Sequence, residues 1–126
     1  MSAFPATIDL LAAAEALTEL WSPRIVAQVN DQYIKVAKLC GSFVWHAHAG
    51  EDELFYVLRG HLRIEYRDRP AVDLPAGAIH VVPRGIQHNP VAAEECWIVL
   101  IEPVTTQHTG ATTSPLSKSI AEQLGR

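Results

Sequence analysis

The chain has 126 residues, 48% hydrophobic and 19% charged, with a formal net charge of −4 and a pI near 5.8. That length fits one domain with one core, and the composition excludes disordered, fibrous and collagen-like classes. Lys and Arg are scattered singly apart from Arg67 and Arg69, so there is no basic patch of the kind that holds nucleic acid.

The first residues, M-S-A-F-P-A-T-I-D-L, lack a charged region followed by an apolar one, so no secretory signal is expected. The longest uninterrupted apolar run, 96–101, has six residues, against about 20 for a bilayer span. Cys40 and Cys96 sit in strand-like segments and read as buried small hydrophobes rather than a disulfide framework. The expectation is a cytoplasmic protein with neither membrane nor nucleic acid as partner.

In chain order, a helix is predicted over 8–20. Thr7 would cap it, Asp9 would support its positive end, and Pro23 would stop it. Leu10, Leu11, Ala14, Leu17 and Leu20 recur there at helical spacing. Short strands follow over 24–30, 33–40, 42–48, 53–59, 61–68, 71–74, 78–82 and 95–102. They are separated by turn signals such as Asp31-Gln32, Pro75-Ala76-Gly77 and Pro83-Arg84-Gly85. Many short, evenly spaced strands predict an all-β sandwich or barrel. Alternation over 61–67 turns Leu62, Ile64 and Tyr66 inward. The runs 54–58 and 97–101 are apolar on both faces and need cover on both sides. A short helix is expected near 117–124. The reading divides the chain into a helix and lead-in (1–23), a barrel (24–103) and a tail packing on the barrel (104–126).

The chemistry concentrates in two stretches. On a strand, His46 and His48 leave one face together. Two imidazoles with a carboxylate at Glu53 form a typical ligand set for a divalent metal, and His88 arrives later, behind a Pro-x-Gly turn. If Glu53 points inward, Phe55 and Val57 lie below it as an apolar floor. Glu51 and Asp52 are rival carboxylates, but parity puts Asp52 on the other face, so both read as loop charges or as supports behind the ligands. His61 reads as surface. His108 and Thr109 read as a surface tail, although they could fold over the barrel mouth. Beyond the metal-type residues, Tyr56, Tyr66, His80 and Arg84 are candidate acids, bases or clamps. No motif fixes any of them, so the catalytic residues are unknown, and parity does not decide whether His80 faces the pocket.

Gly41, His46, His48, Glu53 and Gly60, followed by Gly77, Pro83, Gly85 and His88, resemble the two motifs of the cupins. The resemblance covers about 24–103, and the close spacing of the motifs looks like the small single-domain bacterial cupins (cupin 2 type), including those loosely likened to mannose-6-phosphate isomerase. Two positions depart from the pattern. One residue fewer separates Gly41 from His46, and Ala92 stands where the family has Asn. The resemblance implies a double-stranded β-helix, the cupin or jelly-roll barrel, holding one divalent transition metal (Fe, Mn, Ni, Co, Cu or Zn) through His46, His48, Glu53 and His88. Retention of Glu53 argues against the thiol dioxygenases among cupins, which bind iron with three histidines. Two functions follow as expectations. One is a metal-dependent oxygenase, isomerase or lyase acting on a small, anionic molecule; the other is a noncatalytic small-ligand or sugar-binding sensor. A homodimer is expected in either case.

Overall fold

A computed structural model describes residues 4–125. The first helix, α1 (Leu10–Glu15), is shorter than the apolar spacing predicts, and its cap is Asp9, whose carboxylate accepts the Ala12 N–H at 3.1 Å. Thr7 plays no part in the cap. Lys38 ends the helix early: its Nζ donates to the carbonyls of Glu15 (2.9 Å) and Leu17 (2.8 Å). The next residues then run extended along the sheet, where Trp21 N–H reaches Lys38 O (2.8 Å) and Trp21 Nε1 reaches Cys40 O (2.9 Å). Tertiary docking outweighs helical periodicity here.

Seven antiparallel strands follow, β1 (Arg24–Val29), β2 (Gln32–Ser42), β3 (Glu53–Arg59), β4 (His61–Tyr66), β5 (Val72–Pro75), β6 (Ile79–Val82) and β7 (His88–Pro103). Asn30 and Asp31, rather than Asp31 and Gln32, make the first turn, with Val29 paired to Gln32. The 16-residue β7 is the hub. One of its edges pairs with β2. The other pairs first with β4 and then with β3, and β3 pairs onward with β6. The predicted strand over 95–102 therefore begins seven residues earlier. The predicted strand over 42–48 is absent: β2 continues to Ser42, and 43–48 is irregular apart from one bridge between His46 and His88.

Parity sorts the side chains into two layers. Ala37 and Leu39, Phe55 and Val57, Leu62, Ile64 and Tyr66, and Ile98 and Leu100 face the barrel interior. Val36, Trp97 and Val99 face outward, and α1 covers them with Leu10, Ala13 and Ala14, joined by Leu17 just beyond it. The two-sided runs thus find part of their second cover within the chain. On β6 the outward Ile79 and Val81 stay open, at 62% and 43% exposure. Both cysteines are free; Cys96 is buried and Cys40 half-buried, and burial pushes the Cys96 thiol up to about 11.

After β7 the chain folds back over the barrel and ends in α2 (Ile120–Gln123), where Ser119 and Glu122 form a reciprocal cap. Among the described residues, no helix is long and apolar enough to cross a membrane.

Candidate metal centre

Four buried side chains, His46, His48, Glu53 and His88, bring their ligand atoms within 4.8 Å of one another. Each is placed by a separate local device. Glu53 opens β3 with the parity of Phe55 and Val57, so its carboxylate enters the barrel. His88 opens β7, and His46 is tied to it by reciprocal main-chain bonds, His46 N to His88 O at 3.1 Å and His88 N to His46 O at 2.9 Å. The two rings consequently lie with centroids 4.3 Å apart. His48 carbonyl accepts Gly85 N–H at 2.8 Å. Asp52 accepts Arg84 N–H at 2.8 Å and pairs with its guanidinium at 3.5 Å. Asp52 is therefore the clasp that holds the Pro83-Arg84-Gly85 turn against the first loop, ahead of His88. Glu51 accepts from Thr105 Oγ1 instead, at 2.9 Å.

Hydrogen bonds fix which nitrogens face the centre. His46 Nδ1 lies 2.8 Å from Val44 O, and His88 Nδ1 lies 2.9 Å from Ile86 O. A carbonyl only accepts, so each Nδ1 carries the proton and each Nε2 presents a lone pair inward. His48 Nε2 and His88 Nε2 stand 3.4 Å from Glu53 Oε1, without hydrogen-bond geometry. Both nitrogens of His48, Glu53 Oε1 and His88 Nε2 are buried with no partner. Leaving so many convergent polar atoms unsatisfied is costly. Metal–ligand bonds of about 2.1 Å separate neighbouring donors by about 3 Å, so one cation could satisfy the set. The residues present fit a metal ion.

Electrostatics points the same way. Burial and the neighbouring His88 lower His46 to about 4, keeping it neutral. Burial alone would raise Glu53, but His48 and His88 outweigh it and hold the carboxyl well below the usual range. Behind Glu53 lies a second carboxylate that sequence reasoning passed over. Glu102 is 1% exposed and pairs with Lys35, also 1% exposed, at 3.5 Å. Burial and the charge of Glu53 raise Glu102 well above the usual range, against the pull of Lys35. A charge at an inward parity position between apolar residues was the available signal: Lys35 shares the face of Ala37 and Leu39, and Glu102 that of Ile98 and Leu100.

The other candidates separate by face. Tyr66 and His80 both point inward and meet at 2.7 Å, Tyr66 Oη to His80 Nε2. Tyr66 is cross-strand partner to His88, and His80 to Phe55. Burial raises Tyr66, and burial with nearby His88 lowers His80. Tyr56 faces the outer cluster under α1. Arg84 is exposed and held by Asp52. His61 is a surface residue beside Asp73 at 3.6 Å. The surface reading of the tail is overturned: Thr109 is buried, and the His108 ring packs 5.0 Å from Phe43. Phe43, stacked on Trp21 at 4.7 Å, lines a cavity with His46, Glu53, Phe55 and His108.

A family model described as a cupin domain (Cupin_2) matches residues 33–102. The chain belongs to the cupin family. It is 35% identical over 81 residues to the uncharacterized protein YdbB of Bacillus subtilis, covering 64% of this chain and 72% of that one. A cupin-2 domain containing protein from Shewanella frigidimarina superposes with a TM-score of 0.73 at 44% identity, over 76% of this chain and 93% of its own. Protein NMB1881 from Neisseria meningitidis gives a TM-score of 0.72 at 28% identity, over 78% of this chain and 99% of its own. The double-stranded β-helix of the cupins is the architecture described above, with β7 at its centre.

Proposed function

We propose that this cupin binds one divalent transition metal through His46, His48, Glu53 and His88, and that it acts as a metal-dependent enzyme on a small anionic molecule. The reaction would be of oxygenase, isomerase or lyase type. The observation that carries the reading is the set of buried donor atoms left without partners around one point. When bound, the ion would supply a Lewis acid with about two open coordination positions. The surrounding side chains do the rest. Phe55 and Leu100 keep water out, Glu53 brings the only negative charge to the ligand set, and Lys35 with Glu102 backs it from inside the barrel. The Tyr66–His80 pair is placed to hold a proton between Oη and Nε2 beside His88.

A +2 ion with one carboxylate ligand leaves about +1 in the centre, poorly screened by apolar walls. That favours a small anionic chelator over a neutral sugar. Titrating cobalt-substituted protein with a 2-oxo or 2-hydroxy acid should shift the visible bands saturably, and a neutral sugar should leave them in place. Sugars alone altering the spectrum would overturn the charge argument.

One observation favours the noncatalytic reading, a small-ligand or sugar-binding sensor. The Tyr66–His80 pair lies on β4 and β6, whereas the cavity beside His46 opens toward β2, β7 and the tail. Turnover or oxygen uptake that depends on metal would distinguish enzyme from sensor. The reading also includes a homodimer, supported by the open apolar Ile79 and Val81 on the edge strand β6.

A further inference from the structure

His46, His48, Glu53 and His88 are each no more than 4% exposed. The void beside them measures about 20 Å³, room for about one water molecule. Nothing larger fits that void unless a wall moves. Most walls are inward side chains of β2, β3 and β7, strands locked by main-chain ladders. Trp21, Pro23, Phe43 and His46 line the side between them, and His108, carried by the segment 104–117, closes the cavity.

That segment is tied mainly to itself. Thr109 Oγ1 lies 2.6 Å from both Thr112 O and Ser117 Oγ, and main-chain bonds join Gly110 to Gln107, Thr112 to Thr109 and Ser117 to Ser114. Its ties to the barrel are the Val104 N–H to Asp31 O at 2.9 Å at its base, Thr105 to Glu51 at 2.9 Å, Thr112 to Trp45 O at 3.4 Å and the packing of Gly110 on the Ala47 backbone. Such a segment can lift as a body. Its inward residue is also chemically defined. Lys118 N–H donates to His108 Nδ1 at 3.0 Å, so the proton of the neutral ring sits on Nε2, at the opposite edge of the ring. Burial and the nearby Lys35 lower His108 to about 4, which keeps the ring neutral.

We propose that the segment 104–117 is a lid over the metal pocket, and that His108 is the residue with which the closed lid grips the ligand, Nε2–H donating to a ligand oxygen. This rests on the metal-centre reading above. It narrows the ligand to a small molecule with an apolar body, fitting Phe43, Phe55 and Leu100, and an oxygen acceptor near its metal-binding end.

The test uses wild-type, His108→Phe and His108→Gln proteins loaded with cobalt and titrated with 2-oxobutyrate. Binding is followed by the visible bands and the lid by hydrogen exchange at the Lys118 amide. In wild type the acid should slow that exchange. His108→Phe should keep the ligand-free cobalt spectrum but weaken acid binding about 3- to 10-fold, the range expected for one lost hydrogen bond. His108→Gln, which retains an N–H donor, should recover most of it. Undiminished binding by His108→Phe, failure of the Gln variant to recover any binding, or Lys118 exchange indifferent to the acid would overturn the proposal. Wild-type protein that takes up no cobalt would overturn the metal-centre reading itself, and this inference with it.

Discussion

His108 illustrates how the environment of a single side chain becomes a property of the whole protein. Its ring titrates near 4 in the folded chain and near 6.5 when unfolded. Between those values the unfolded state takes up a proton that the folded state refuses, so stability falls as pH drops from about 6.5 to 4 and is unaffected by this group above that window. The loss is roughly 3 kcal/mol across the full window. Urea denaturation of metal-free protein at several pH values should therefore show a shallower acid decline in His108→Phe than in wild type, whereas parallel curves would remove the basis for a half-buried neutral ring. The order of residues left this only as the lesser alternative, because a polar tail rich in Thr carries no periodicity that marks one face as buried. The cluster itself was more legible. His46, His48, Glu53 and His88 could be chosen by residue type and spacing, and the structure brings them together. Lys35 and Glu102 were visible as charges within apolar strands, and only the parity of their neighbours shows that they point inward.

At the scale of elements, alternation located strands well and ended them badly. β3 keeps its predicted bounds, with one face in the barrel and the other partly covered by the cluster under α1, and β4 alternates as its pattern says but stops at Tyr66. β7 extends back to His88 because β4 and β2 supply pairing partners for 88–92, which its own Pro90 and Ala-rich sequence does not advertise. The helix stops at Glu15 where Lys38, distant in sequence, takes the carbonyl of its last residue. Turns hold this arrangement, and Gly60 between β3 and β4 is tightly constrained. It has φ +89°, and a Cβ there would lie 2.9 Å from Glu95 O. Gly60→Ala should cost about 1–3 kcal/mol through strain and crowding of β7, read as a lower urea midpoint. An unchanged midpoint would show that the β3–β4 turn is not held against β7 as described.

For the molecule as a whole, the cupin barrel places three elements around one interior point: the irregular 43–48 stretch, the start of β3 and the start of β7. The lid lies above it and α1 outside. The open strip of Ile79 and Val81 on β6 remains, and a second copy is the simplest symmetric cover. Light scattering should return about twice the chain mass of 13.8 kDa, and Val81→Glu should shift the protein toward monomer. A wild-type monomer at micromolar concentration would contradict this. The central claim is the metal, and elemental analysis of protein purified without chelator tests it most directly. The account predicts about one transition-metal ion per chain, falling sharply in His88→Ala, since four ligands bind more tightly than three. Protein that carries no metal, even after reloading with Fe, Mn, Ni and Zn, would contradict it.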